Sequence, residues 1–261
     1  MRIGLGTAQF GLDYGITNKT GRVPAEEVKA ILFYAQRAGI TMLDTAHLYG
    51  ASEEVLGQLH AGERFRIVTK TPKACTPETI RDAFRLSLSR LGRVHGLLLH
   101  DAADLRPDTW NAMEELKREG LVEKIGVSVY DGSEADAALK FPLDLIQVPF
   151  NPLDRRLIYG GHLERLHDAG VEVHARSVFL QGLLLQHPTR FPMHLAPLAE
   201  VVGEMQQSFA EQGFSPVEGV LAAAFQCPWS DCFMVGVTRA RELYEVTTAA
   251  LKVWGMRVKA D

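Results

Sequence analysis

The chain has 261 residues, 46% of them hydrophobic and 23% charged, with a formal net charge of -4 at pH 7. This is ordinary globular composition with ample material for one large core, which excludes a chain dominated by disorder. Lysines and arginines are scattered rather than clustered, so neither nucleic acid nor an anionic membrane is an indicated partner.

The opening MRIGLGTAQF lacks the apolar run of a signal peptide, and no later stretch reaches the roughly 18 apolar residues of a spanning helix, so a cytoplasmic location is expected. Cys75, Cys227 and Cys232 are too few and too irregularly spaced for a disulfide framework or a CxxC zinc site, and buried free thiols are expected. In chain order, short β-branched or apolar runs alternate with longer amphipathic segments, the pattern of repeated βα units around a parallel sheet. The runs are RIGLGTA (2–8), TMLDTA (41–46), RIVTK (66–70), GLLLH (96–100), KIGVSVY (124–130), LIQVPF (145–150), EVHARS (172–177) and CFMVGV (232–237).

Between them, PAEEVKAILFYAQRAG sets Val28, Ile31, Leu32 and Ala35 at helical spacing and ends at Gly39. TPETIRDAFRLSLSRLG opens on a cap-like Thr76 with Glu78 and Thr79 and closes on Gly92. The proline-punctuated stretch from Gln181 to Pro197 follows the seventh run, and a long loop at that place is expected to be functional. A doubly wound sheet would carry GxGxxG after its first strand. Here Gln9 stands at the final glycine position of GLGTAQFG and no helix is expected there. The expected fold is therefore α/β, a (β/α)8 TIM barrel forming a single domain over 1–261.

Four polar residues stand at or just beyond the ends of three successive expected strands: Asp44 and Tyr49, then Lys70, then His100. In a barrel those ends converge on one face, where reacting groups sit. The segment TMLDTAHLYGASEEVLG resembles the signature of the aldo-keto reductases, with an aspartate, a tyrosine five residues later and a downstream Ser-Glu pair. RIVTK resembles that family's catalytic-lysine strand and GLLLHDAADL its catalytic-histidine strand, and the likeness runs essentially the full length of the chain. GTAQFGLDYGITN and RSVFLQGLLL are most similar to a bacterial subgroup associated with sugar or surface-polysaccharide pathways.

The resemblance implies an NAD(P)H-dependent oxidoreductase that reduces an aldehyde or ketone to the alcohol, with sugar-derived carbonyls among the candidates. Hydride delivery leaves negative charge on oxygen, which a positioned acid must neutralise, and Tyr49 takes that role. Lys70 is expected to ease proton release from the phenol, Asp44 to fix the lysine, and His100, as a neutral imidazole, to orient the substrate oxygen. Singly, each has a bland reading as a structural ion pair, an interior histidine or a rim aromatic, and it is their order on the correct strands that favours catalysis. His47, Glu53 and Glu54 are read as loop and helix-start residues.

The same resemblance implies the cofactor site. Ser128 and Gln147 fall where the family holds the nicotinamide carboxamide, although Val129 replaces a frequent asparagine, and Asn151 is either a motif residue or a structural amide. Gly6, Thr7 and Asp44 complete that end. Arg176 stands where many members place a ring-stacking tyrosine, and a guanidinium also stacks; its bland reading is a salt bridge to a loop carboxylate. Ser177, Leu180 and Gly182 match the loop that cradles the pyrophosphate, and Gly236, Thr238, Arg239 and Glu245 the adenosine end. Arg239 and Arg241 favour NADP. Gly236, Glu242 and Val246, in place of a lysine, an arginine and an asparagine, weaken that preference and leave NAD possible.

Because the chain begins at the first strand and ends soon after the last helix, a wide, polar-tolerant site for a small carbonyl compound is expected, with Phe10, Tyr14, His47 and Arg156 at its rim. Two rivals remain open on the same scaffold: a cofactor-recycling sugar epimerase or dehydratase, and a nicotinamide-sensing regulatory protein. No HxH pair closes the first strand, so no metal is expected. Oligomeric state is not legible.

Overall fold

The computed structural model describes residues 2–257. Eight parallel strands close into a barrel in chain order: β1 (Ile3–Gly6), β2 (Met42–Asp44), β3 (Arg66–Lys70), β4 (Gly96–Leu99), β5 (Lys124–Ser128), β6 (Leu145–Pro149), β7 (Glu172–Arg176) and β8 (Cys232–Gly236). The register Gly6↔Asp44, Lys70↔Leu98, Ser128↔Gln147 and Gly6↔Gly236 brings the strand ends onto one rim. All eight expected runs are strands, each a residue or more shorter than its apolar run except β3, because pairing stops where the chain turns away towards the rim.

The helices are α1 (Ala8–Gly11), α2 (Ala25–Arg37), α3 (Ser52–Gln58), α4 (Pro77–Leu91), α5 (Pro107–Arg118), α6 (Gly132–Ala138), α7 (Arg156–Tyr159), α8 (His162–Asp168), α9 (Ala196–Glu211), α10 (Pro216–Phe225) and α11 (Ala240–Arg257). α2 buries Val28, Ile31, Leu32 and Ala35, the stripe its spacing sets. α4 begins with a reciprocal cap: Thr76 Oγ1 accepts from the Thr79 amide at 3.2 Å, and the Thr76 amide donates to Thr79 Oγ1 at 2.8 Å, satisfying two end groups that helix geometry leaves open. The one-turn helix α1 corrects the expectation that none follows the first strand; with four residues it does not make a dinucleotide-binding turn. The stretch from Gln181 to Pro197 is wound into three short 3-10 turns before α9.

Core packing falls in two layers. Strand residues facing out join the helices' apolar stripes in one continuous cluster that includes Leu43, Ile67, Leu97, Val127, Ile146 and Phe233, and Met42, Val68, Leu98, Leu145, Cys232 and Met234 fill the barrel's inside. All three cysteines are buried and free. Among the described residues no helix is long and apolar enough to cross a membrane.

Candidate active site

A cavity of about 630 Å³ opens at the C-terminal rim of the barrel. At its floor Lys70, 1% exposed, spends all three ammonium hydrogens within the chain: on Asp44 Oδ1 at 2.6 Å, on the Thr45 carbonyl at 3.0 Å and on Tyr49 Oη at 3.3 Å. Because Tyr49 Oη accepts from the ammonium, its own hydroxyl hydrogen is free to point into the cavity. The Tyr49 loop is held by close backbone contact. A Cβ at Gly11 would meet the Tyr49 carbonyl at 1.8 Å, and Gly50, with φ +56°, would meet the Gly11 carbonyl at 2.5 Å. Only glycine fits either position. Ser52, fully buried, ties the ends of β1 and β2 together by bonding Thr7 and Thr45 hydroxyls at 2.8 and 3.1 Å and donating to the Thr7 carbonyl at 3.0 Å.

Electrostatics follow from this burial. Burial would discharge Lys70, but the Asp44 carboxylate and Tyr49 outweigh it and the ammonium's pKa is raised. The Tyr49 phenol is also raised, because burial outweighs the neighbouring ammonium. The lysine pulls the other way and limits the rise that desolvation imposes. His100 lies edge-on to Tyr49 with ring centroids 6.0 Å apart, and burial, then Lys70 and Lys73, push its pKa down to about 4. It is neutral at pH 7, and its buried Nδ1 has no partner.

Beside Asp44, Gln147 Nε2 donates to Oδ1 at 2.7 Å. That fixes the amide's orientation and leaves its buried Oε1 without a donor. Ser128, its strand partner, also lines the cavity. An amide oxygen lacking a donor next to a hydroxyl suits a primary carboxamide, which offers an NH₂ group to donate and a carbonyl oxygen to accept. The residues present thus fit the nicotinamide end of a dinucleotide.

Of the other expected residues, Gly6, Thr7, Arg176, Ser177, Gly182, Gly236, Thr238 and Glu245 line the cavity, whereas Leu180 and Arg239 do not. Leu180 packs partly buried against the core. It contributes backbone shape instead: Ser177, Leu180 and Gln181 all have positive φ, at 63°, 47° and 54°, and such left-handed residues bend the loop over the rim. Among the described residues Arg176 makes no carboxylate pair; it lies 4.2 Å from the Tyr130 ring and donates to the Val129 carbonyl at 3.1 Å. Of the expected rim residues only Tyr14 reaches the cavity. Phe10 is fully buried in the core, Arg156 pairs with Asp154 on the exposed surface, and His47 lies outside the lining. Asn151 is structural, its Oδ1 accepting from the Leu153 amide at 3.0 Å.

Sequence reading missed Tyr130, Gln9 and the loop residues Gln186, His187 and Arg190, which also line the cavity. Gln9 folds its amide over Gly236, where a Cβ would meet it at 2.6 Å. The only signal for the loop residues was the proline-rich stretch itself.

The Aldo/keto reductase family model matches residues 2–253. An uncharacterised oxidoreductase of Mycobacterium tuberculosis is 34% identical over 165 residues, 58% of this chain and 50% of that protein. A glyoxal reductase of Bacillus subtilis is 30% identical over 181 residues, 65% of this chain and 63% of that protein. The chain thus spans about half the length of the first of these and under two thirds of the second. A solved structure from Pseudomonas aeruginosa, assigned as an aldo-keto reductase, superposes with a TM-score of 0.75 over 97% of this chain and 90% of that one at 24% identity; that likeness speaks for the fold alone.

Proposed function

The chain belongs to the aldo/keto reductase family, and on that premise we propose that it reduces the carbonyl of a small aldehyde or ketone to the alcohol with a nicotinamide dinucleotide, Tyr49 acting as the acid. The observation that carries the reading is the Lys70 ammonium bonded to both Asp44 and Tyr49 at the floor of a cavity wide enough for a cofactor and a substrate.

Gln147 and Ser128 would hold the carboxamide, and Arg176, backed by Tyr130, would lie against the ring. Thr7, Ser177, Gly182 and Gly236 would border the rest of the dinucleotide. Bound there, the reduced nicotinamide supplies a hydride to the carbonyl carbon. The chain's own part is to manage the oxygen. His100, neutral, donates a hydrogen bond that holds the substrate oxygen beside Tyr49 Oη. Tyr49 passes its proton to that oxygen as charge develops there, and the Lys70 ammonium stabilises the phenolate left behind. Asp44 keeps Lys70 charged and in place, which a buried ammonium without a partner would not be. The polar lining, with Tyr14, Asn18, Gln186 and His187, suits a hydroxylated or sugar-derived substrate.

The test is a panel of simple and sugar aldehydes incubated with the full chain and either NADH or NADPH, with the alcohol product identified. Stoichiometric alcohol and oxidised cofactor are expected. Epimerised or dehydrated sugar with no net cofactor consumption would replace the reading with internal recycling.

A further inference from the structure

The far end of the same cavity is walled by Val217 on α10 and by Thr238, Glu242, Glu245 and Val246 at the start of α11. A dinucleotide with its nicotinamide at the catalytic end places its adenosine here. The beginning of a long helix normally offers free amide donors and positive potential, which would suit a phosphate. In this chain two of the amides there, those of Thr238 and Ala240, are already taken by the protein's own carboxylates. Glu242 accepts from the Thr238 amide at 2.7 Å and from the Thr238 hydroxyl at 3.1 Å. Glu27, reaching across from α2, accepts from the Ala240 amide at 2.7 Å.

The cations that favour a phosphate in the sequence do not serve one here. Arg239 is exposed and outside the lining. Arg241 is turned to Glu245, with Nε 3.0 Å from Oε1, and its side chain is 87% exposed. The wall therefore presents two carboxylates, Glu242 and Glu245, to whatever ribose lies against it.

We propose that this end selects a ribose with a free 2′-hydroxyl, so that the chain takes NAD in preference to NADP, with Glu242 as the specificity-determining residue. A hydroxyl can donate to a carboxylate, whereas a phosphate brings further negative charge beside Glu242 and finds the Thr238 and Ala240 amides occupied. Arg190 and His187 stand on the loop after β7 and are left to the diphosphate common to both cofactors. The proposal rests on the dinucleotide reading of the cavity given above.

The test is equilibrium binding by titration calorimetry of NADH and of NADPH to the full chain without any carbonyl compound, for wild type, Glu242→Gln and Glu245→Gln. Wild type is expected to bind NADH at least about tenfold more tightly than NADPH, and Glu242→Gln to cut that preference by about tenfold, chiefly by tightening NADPH. Glu245→Gln, which leaves the Thr238 contacts intact, is expected to give a smaller shift in the same direction. NADPH binding as tightly as NADH or more so in wild type would overturn the selectivity while leaving the reductase reading standing. If neither dinucleotide bound folded wild type, both readings would fall.

Discussion

The two ends of the barrel bury charge in different ways. At the C-terminal rim, Asp44, Lys70, Tyr49 and Gln147 form a connected set around a cavity, and Gln147 Oε1 and His100 Nδ1 face it or lie beside it unpartnered. At the opposite end, inside-facing Lys124 and Glu172 pair, and Glu172 also bonds His174 Nε2 at 2.7 Å. No residue of that group lines the cavity. Buried charge and an orphaned histidine nitrogen occur at both ends, His174 Nδ1 included. What sets the upper end apart is that its network opens onto space, with a proton-bearing phenol at the boundary, which is what the proposed function requires of a reacting end.

The largest effect is expected at Lys70. Lys70→Met leaves Asp44 buried with only Gln147 as a side-chain donor, and removing one partner of a buried pair costs about 3–5 kcal/mol. Urea unfolding is expected to show that loss together with collapse of carbonyl reduction. A stable Lys70→Met protein that retains turnover would contradict the assigned role.

Acid separates the two ends. The folded-state pKa of His100, about 4, lies below its ordinary 6.5, so the unfolded chain binds the proton first. The stability this histidine contributes is full above pH 6.5 and is lost as pH falls towards 4. Glu172 is held down to about 2 by its hydrogen bond from His174 and by Lys124, against burial; its contribution is present above 4.5 and lost as pH falls through 2. Unfolding free energy measured against pH should therefore decline in two windows. His100→Gln should flatten the upper one and Glu172→Gln the lower, and an unchanged slope in either variant would show that the group does not carry it.

Smaller effects sharpen the contrast further. Lys124→Met should cost about 1 kcal/mol, because its side chain is 32% exposed and solvent screens the pair. It should leave carbonyl reduction unchanged, since the lower ion group does not face the cavity. Thr76→Ala, which removes half of the reciprocal cap of α4, should likewise cost about 1 kcal/mol by urea unfolding and leave turnover alone.

Much of the upper end was legible because its residues sit where a strand pattern and a motif coincide: Asp44, Lys70 and His100 close apolar runs, and Tyr49 follows at fixed spacing. Ser128 and Gln147 were legible for the same reason. Phe10 and Arg156 were misplaced at the rim because periodicity cannot tell which way a residue outside a strand turns. Tyr130, directly beyond β5, was missed because its role comes from Arg176, forty-six positions away in sequence and adjacent only once β5, β6 and β7 pair. The net rise at Tyr49 was not legible, because residue types show the ammonium but not the depth of burial that outweighs it. Glu242 was visible only as a departure from a pattern, and its bonds to Thr238 give the departure a physical meaning.

The most direct test of the central claim is Tyr49→Phe, with dinucleotide binding and carbonyl reduction measured on the same preparation. Binding within a few-fold of wild type is expected, with turnover reduced by about 10²–10⁴-fold, the share a positioned acid supplies. Turnover close to wild type, with the alcohol still formed, would show that the proton comes from elsewhere and would contradict the claim.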